Sequence, residues 1–372
     1  MQIDPVLARA DEQLSNALDR LQNFLRIPSI STDPKYTMEC ERAAGWLARE
    51  LESLGVDVQT FETDLHPIIV GKIEGDGPHL LFYGHYDVQP VDPVDLWHHD
   101  PFDPIIEDTD NGQVVRARGA SDDKGQLMTF VEACRAYIDT FGSLPCRVTF
   151  LFEGEEEIGS PSLLPFLRAH SKLLLADIAA ICDTAMIADD VPSIVSQLRG
   201  ILEEEFTLHG PSIDLHSGDY GGPAVNPLKE LGRVIASFHN DEGTVLVDGF
   251  YDDVPDVSPD LLANWDNCGF DEDSYLQKIG LTVASGERGR SSLEQQWALP
   301  TLEINGIWGG YQGPGSKTVI PAEAHCKLTF RLVGKTDPEK FGTLSASTSK
   351  IMLRLISVCH GNRPLRVHLQ PL

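Results

Sequence analysis

The sequence predicts an α/β catalytic domain, built on a mainly parallel sheet flanked by helices, joined to a smaller α+β dimerisation or lid domain with an antiparallel sheet. Three observations carry this. Short apolar runs alternate with amphipathic helices through the first half of the chain, and strands joined by helices run parallel. Those runs end on charged tips: His85 and Asp87, Asp122 and Asp123, Glu155 to Glu157, and Asp183. After Arg199-Gly200 the pattern changes to alternating stretches such as ILEEEFTLHG and HCKLTFRLV, as in half-buried antiparallel strands. At 372 residues the chain exceeds the size at which one core keeps growing. The expected division is a catalytic part over 1–197 and a second domain over 198–372.

Taken in order, Leu7, Leu14, Leu18, Leu21 and Leu25 recur at helical spacing, and Pro28 stops that helix. A second helix is expected from about Thr37 to Leu54, closed by Gly55. Val56 to Phe61 and Ile68 to Ile73 read as strands. PHLLFYGHYDVQ then places an apolar strand, buried on both faces, directly before His85. The proline-rich VQPVDPVDLWHHDPFDP reads as irregular. Val114 to Arg118 is predicted as a strand delivering GASDDKG, and a helix follows over Gly125 to Phe141, with Leu127, Phe130, Val131 and Cys134 on one face. CRVTFLF reads as a strand delivering EGEEEIGS, Ser162 to Leu175 as a helix, and AAIC as a strand ending at Asp183. In the second half, DLHSGDYGGPAVNP is a loop before a helix from Leu228 to Phe238. LPTLEING, KTVIP and HCKLTFRLV are the remaining strands.

Composition narrows the function classes. With 57 acidic and 29 basic residues the formal charge is −28, which repels phosphate backbones and anionic membranes and argues against nucleic acid as a partner. No apolar run reaches membrane-span length, and the N-terminus lacks the apolar core of an export signal. The seven cysteines are scattered, without a C-x-x-C pair, which points to a reducing compartment, the cytoplasm.

The chemistry rests on convergence. In an open α/β sheet, ligands bind beyond the carboxyl ends of the strands. Any one of these Asp residues could be a helix N-cap or a solvated turn. One imidazole and several carboxylates from successive tips on one edge instead make a divalent-cation site of nitrogen and oxygen donors. Adjacent glutamates after a strand point in different directions, so one can bind an ion while its neighbour serves as a base. The stretch GYQGPGSKT is not a phosphate-binding loop, because a serine precedes Lys317 and strand rather than helix follows. The adjacent His98 and His99 are not expected to converge on an ion.

Six spaced motifs, GHYDVQP, GASDDKG, EGEEEIGS, CDT, DLHSGDYGG, and KTVIP with FRLV, occur in an order that resembles the co-catalytic zinc metallopeptidase family. That family includes carnosinase-type dipeptidases, aminoacylases, acetylornithine deacetylase and succinyl-diaminopimelate desuccinylase; EGEEEIGS and DLHSGDYGG are most similar to its dipeptidase branch. The resemblance implies two divalent metal ions, zinc with cobalt or manganese as alternatives. His85 and Asp183 would bind one ion, Glu157 the other, and Asp122 would bridge them. Asp87 would orient His85, and Glu156 would be the general base for a metal-activated water. The peptide after Asp122 would be cis. His216 resembles the histidine that, in dimeric members, reaches into the partner subunit's site and stabilises the oxyanion, with Asn226 in support. Arg331 and Thr318, with GGYQGPGSK, fall where the family holds the substrate's free carboxylate.

The implied activity is hydrolysis of the amide bond of dipeptides or similar small peptides by a homodimer. N-acyl-amino-acid deacylation is the alternative within the family. The family pattern also closes with a return to the first domain that supplies a last histidine beside Glu157. The tail TLSASTSKIMLRLISVCHGNRPLRVHLQPL does not match that segment, and neither His360 nor His368 lies in a matching context. The expectation is a truncated chain with a weak second metal site. A non-catalytic remnant that still dimerises is the alternative from another class.

Overall fold

Alternation along single strands sets the layers of the first half. In the computed structural model, which describes residues 3–109, 112–184, 186–187, 193–337 and 366–371, the chain divides into two units, 1–185 and 186–372. The first contains helices α1 (Asp4–Leu25), α2 (Thr37–Glu52), α3 (Lys124–Phe141) and α4 (Leu163–Ala169). Its strands are β1 (Asp57–Phe61), β2 (Ile68–Ile73), β3 (His79–His85), β4 (Ile105–Thr109), β5 (Gly112–Arg116), β6 (Arg147–Glu153) and β7 (Ile178–Ile181).

Along β6, Val148, Phe150 and Phe152 point into a core shared with Phe24 of α1, Leu47 and Leu51 of α2, and Leu127 and Val131 of α3. Leu151 points the other way, toward Phe166 of α4 with Ile68 and Val70 of β2. This period-2 split is what a sheet covered on both faces requires.

Among the described residues the central sheet has the order β1-β2-β6-β3-β7. Strand β3 runs parallel to both β6 and β7, whereas β1 and β2 join antiparallel. The sheet is therefore mixed, with the parallel trio beside the chemistry. Register places His85 against Glu153, and Tyr83 against Ile181. Hence His85, the EGEEE segment and Asp183 leave the sheet at one edge. β3 is fully buried only toward that end, at Phe82, Gly84 and His85; its earlier residues are half-covered.

Three local expectations are corrected. The strand before GASDDKG is not part of the central sheet: β5 pairs with β4 in a separate hairpin. Asp122 reaches the edge from the loop entering α3 rather than from a sheet strand. The β4 stretch IIEDT lies just past the proline-rich segment, and its aliphatic pair is largely exposed, so no burial pattern announces it. Helix α4 stops at Ala169 rather than Leu175, and a turn carries the chain to Leu173 and Leu174.

The second unit comprises β8 (Gly200–His209), β9 (Leu215–His216), α5 (Ser217–Tyr220), α6 (Pro227–Ala236), α7 (Pro259–Asp266), α8 (Glu272–Lys278), α9 (Ser292–Trp297), β10 (Thr301–Gly309), β11 (Val319–Ile320), β12 (Glu323–Leu332) and β13 (Arg366–Pro371). Its larger sheet is antiparallel, in the order β10-β12-β8-β13. Cys326, Leu328, Phe330 and Leu332 alternate into a core with Leu231 and Val234 of α6. The acidic stretch after Asp248 carries the short helices α7 and α8, each started by a side-chain cap from Ser258 or Asp271. His368 falls on β13, paired by backbone register with Thr207; His360 lies outside the described residues.

Phe150 is fully buried and its ring lies 5.8 Å from both Phe130 and Phe152. Phe150→Ala should destabilise the first unit by about 3–5 kcal/mol, from lost burial plus the cavity left behind, as read by chemical denaturation.

Candidate metal centre

His85 closes β3 with no exposed surface. Its Nδ1 donates to the carbonyl oxygen of Asp87 at 3.1 Å and lies 3.3 Å from the carboxylate of the same residue. Its Nε2 faces Asp122 Oδ1 at 3.0 Å and Asp183 Oδ2 at 3.6 Å. His85, Glu156 and Asp183 offer ligand atoms that all lie within 4.8 Å of one another. One ring nitrogen is thus clamped from behind while the other is turned into a group of carboxylates. This is the usual arrangement of a ligating imidazole.

Asp87, also fully buried, does more than fix the ring. Its carboxylate accepts the backbone N–H of Glu156 at 3.3 Å and of Glu157 at 3.1 Å, and the hydroxyl of Ser31 at 2.6 Å. One side chain therefore ties the histidine to the pair of glutamates. The turn that carries them, Glu156–Ile158, is held from the other side by Glu155. Glu155 is buried and accepts from Thr63 Oγ1 and the His66 N–H, both at 3.0 Å, and from the Ser162 N–H at 2.9 Å. Gly154, directly before Glu155, must lack a side chain: a β-carbon there would sit 2.5 Å from the ring of Tyr86, whose hydroxyl donates to the Pro67 carbonyl.

The peptide between Asp122 and Asp123 is cis. Asp123 turns inward and accepts the His85 backbone N–H at 3.0 Å, and burial pushes its pKa up to about 7. The next residue, Lys124, is fully buried and donates to the carbonyls of Phe24, at 3.3 Å, and Ile27, at 2.6 Å. These are carbonyls at and beyond the C-terminal end of α1, some of them without helical partners. Burial lowers the lysine's pKa to about 7.

Burial opposes a charged His85, yet hydrogen bonds to Asp122, Asp183 and Asp87 outweigh it and hold the imidazole's pKa well above its ordinary range. The same contact with His85 lowers that of Asp122. Burial raises both Glu156 and Glu157 above the usual carboxylate range. Among the described residues, the ion pairs of Asp122 and Asp183 are with His85. Positive charge at His85 Nε2 is thus favoured by these carboxylates. One imidazole nitrogen and several carboxylate oxygens form a donor set that fits a divalent cation of hard or borderline character.

Glu157 is not one of the three mutually close residues; its carboxylate accepts from Gln89 Nε2 at 2.6 Å and interacts electrostatically with Asp122 and His85. In the second unit, His216 and Thr318 are adjacent, with His216 Nε2 3.1 Å from the Thr318 hydroxyl, while His216 Nδ1 accepts the Gly218 N–H. Asn226 caps α6, its Oδ1 accepting the Leu228 N–H. Arg331 is exposed near the far end of β12. Of the decoys, His99 donates to the Arg116 carbonyl. Sequence reasoning passed over Ser31, Gln89 and Gln126, and gave Asp123, counted among the charged tips, no role of its own. Only Asp123 carried a local signal, as the second member of a doublet in which one carboxylate faces the site.

The model of peptidase family M20/M25/M40 matches residues 81–344. The Cys-Gly metallodipeptidase dug1 of Schizosaccharomyces pombe is 29% identical over 353 residues, covering 91% of this chain and 74% of that protein. The crystal structure of human carnosine dipeptidase 1 is similar with a TM-score of 0.81 at 25% identity, over 99% of this chain and 79% of that one. The M20 family metallo-carboxypeptidase Sso-CP2 from Sulfolobus solfataricus gives a TM-score of 0.76 at 31% identity, over 95% and 77% of the two chains. The motif order, the His85 centre and the extent of the family match lead to one conclusion: this chain belongs to peptidase family M20/M25/M40.

Proposed function

We propose that the protein is a metal-dependent dipeptidase acting on small peptides with a free carboxylate. The observation that carries this is His85, buried, with its Nε2 aimed at Asp122 and Asp183 and with Glu156 beside it. The relatives named metallodipeptidase and carnosine dipeptidase support the substrate class. His85, Asp122 and Asp183 would hold one ion; Asp122 and Glu157 are assigned to a second. Zinc suits the donors, with cobalt and manganese as alternatives. A bound divalent cation supplies Lewis acidity, polarising the scissile carbonyl and making water more acidic.

The chain's own residues do the rest. Glu156 is assigned as general base: burial raises its proton affinity, which suits a group that takes a proton from the attacking water and returns it to the leaving amine. Asp87 holds the backbone of Glu156 in line with the His85 ring. His216 is assigned to the oxyanion, and Arg331 to the substrate carboxylate, for which a planar guanidinium is suited. The hydroxyl of Thr318 holds the His216 ring, and Asn226 supports the same region by starting α6.

Spacing within the second unit supports a homodimer. His216 and Thr318 adjoin β11, which precedes β12, whereas Arg331 lies eight residues beyond Glu323 along β12, about 26 Å at roughly 3.3 Å per residue. A dipeptide spans about 7 Å. If both groups touch one substrate, two chains supply them. On this reading residues 1–197 carry the metal centre and 198–372 the dimer contact. The cysteines, free among the described residues, support a reducing compartment such as the cytoplasm. No described helix is long and apolar enough to cross a membrane.

Three outcomes follow. The carboxylates around His85 raise its proton affinity, so an ion bound at its Nε2 competes with a proton there. Affinity for zinc should therefore rise about tenfold per pH unit between about pH 6 and 8, as checked by calorimetry in buffers of differing ionisation enthalpy. A pH-independent affinity would remove His85 from the ligand set. Glu156→Gln should lower kcat on dipeptides by about 10²–10⁴-fold with metal content unchanged; loss of the metal would make Glu156 a ligand instead. Arg331→Ala should raise KM about tenfold or more for dipeptides with a free C-terminal carboxylate, the worth of a charge-assisted hydrogen bond, and leave amidated dipeptides unaffected.

A further inference from the structure

Asp122 and Asp183 come from unrelated parts of the chain, one from the loop entering α3 and the other from the segment after β7, yet both face the same nitrogen of His85. Something must set the spacing of those two loops. We infer that Gln126, on the first turn of α3, is the positioning residue that does so. The proposal rests on the reading of His85, Asp122 and Asp183 as metal ligands. The Gln126 amide spans both loops: Nε2 donates to the Ser121 carbonyl at 2.8 Å, and Oε1 accepts the Thr184 N–H at 3.1 Å. Ser121 immediately precedes Asp122, and Thr184 immediately follows Asp183.

The partners fix the chemistry. A backbone carbonyl only accepts and a backbone N–H only donates, so this position needs one donor and one acceptor at the two ends of a planar group. Glutamate would keep the acceptor for Thr184 but set an oxygen against the Ser121 carbonyl. Leucine would supply neither bond. Gln126 touches none of the reacting atoms, and its effect runs through the two aspartates. Groups that orient metal ligands in this way are typically worth 10–100-fold in metal affinity.

The charge of the glutamate variant separates positioning from electrostatics. Glu at 126 adds a negative charge near a cation site, so electrostatics alone predicts tighter binding, whereas positioning predicts weaker binding. The experiment titrates the full-length metal-free protein with cobalt(II), reading affinity by calorimetry and ligand geometry by the visible absorption bands. The wild type, Gln126→Leu, Gln126→Glu and His85→Ala are compared, with circular dichroism of each metal-free protein to confirm folding. Both Gln126 variants should bind the ion about 10–100-fold more weakly and shift the absorption bands. Unchanged affinity in the glutamate variant, or tighter binding, overturns the proposal, and that variant decides should the leucine variant fail to fold. If the wild type and His85→Ala bind cobalt alike, the ligand reading itself falls and the proposal with it.

Discussion

Everything in the first unit is arranged around one costly act, the complete burial of an imidazole among carboxylates. An isolated charge at His85 would be untenable away from water. It is tolerated because Asp87 stands behind the ring and Asp122 and Asp183 stand before it, so the buried group never lacks a partner. The same physics makes the site unsatisfied as a purely protein arrangement. Carboxylates that share a single proton repel each other, and Glu156 and Glu157 are raised by the burial that surrounds them. A divalent cation relieves that repulsion more completely than a proton does. On the proposed reading, the centre carries like-charge repulsion in the free protein that a bound ion would relieve.

Holding such a centre demands rigid support, and the structure draws it from several layers. Parallel pairing of β3 with β6 and β7 delivers His85, the glutamate turn and Asp183 to one edge. Asp87 joins the histidine to the glutamate turn, Glu155 anchors that turn from the rear, and Lys124 ties the start of α3 to the end of α1. These contacts use buried carboxylates and a buried lysine where hydrophobic residues would pack more cheaply. Their presence here matches the general tendency of proteins to break packing rules at sites of function.

Much of this was legible in the sequence, for a physical reason. A run such as LLFYGH is apolar and ends on an uncommon polar group, so the strand and the candidate ligand announce each other, although Leu80, Leu81 and Tyr83 are only half-covered. Period-2 alternation in HCKLTFRLV likewise foretold the antiparallel sheet of the second unit. What stayed hidden were features without a local pattern. The β4–β5 hairpin is exposed and mostly polar, so its second strand was taken for part of the central sheet. The roles of Gln126 and Ser31 depend on residues more than fifty positions away, and nothing in their immediate neighbours reports such contacts. Glu155 was read as one more site carboxylate, yet its direction is set by Thr63, His66 and Ser162.

The central claim is that His85 Nε2, Asp122 and Asp183 together form a cation pocket. Crystals of the protein grown with zinc, with diffraction data collected on either side of the zinc absorption edge, test it most directly. The account predicts an anomalous peak bonded to His85 Nε2 and to oxygens of Asp122 and Asp183. An anomalous peak located elsewhere, with His85 Nε2 still hydrogen-bonded to Asp122, would contradict it.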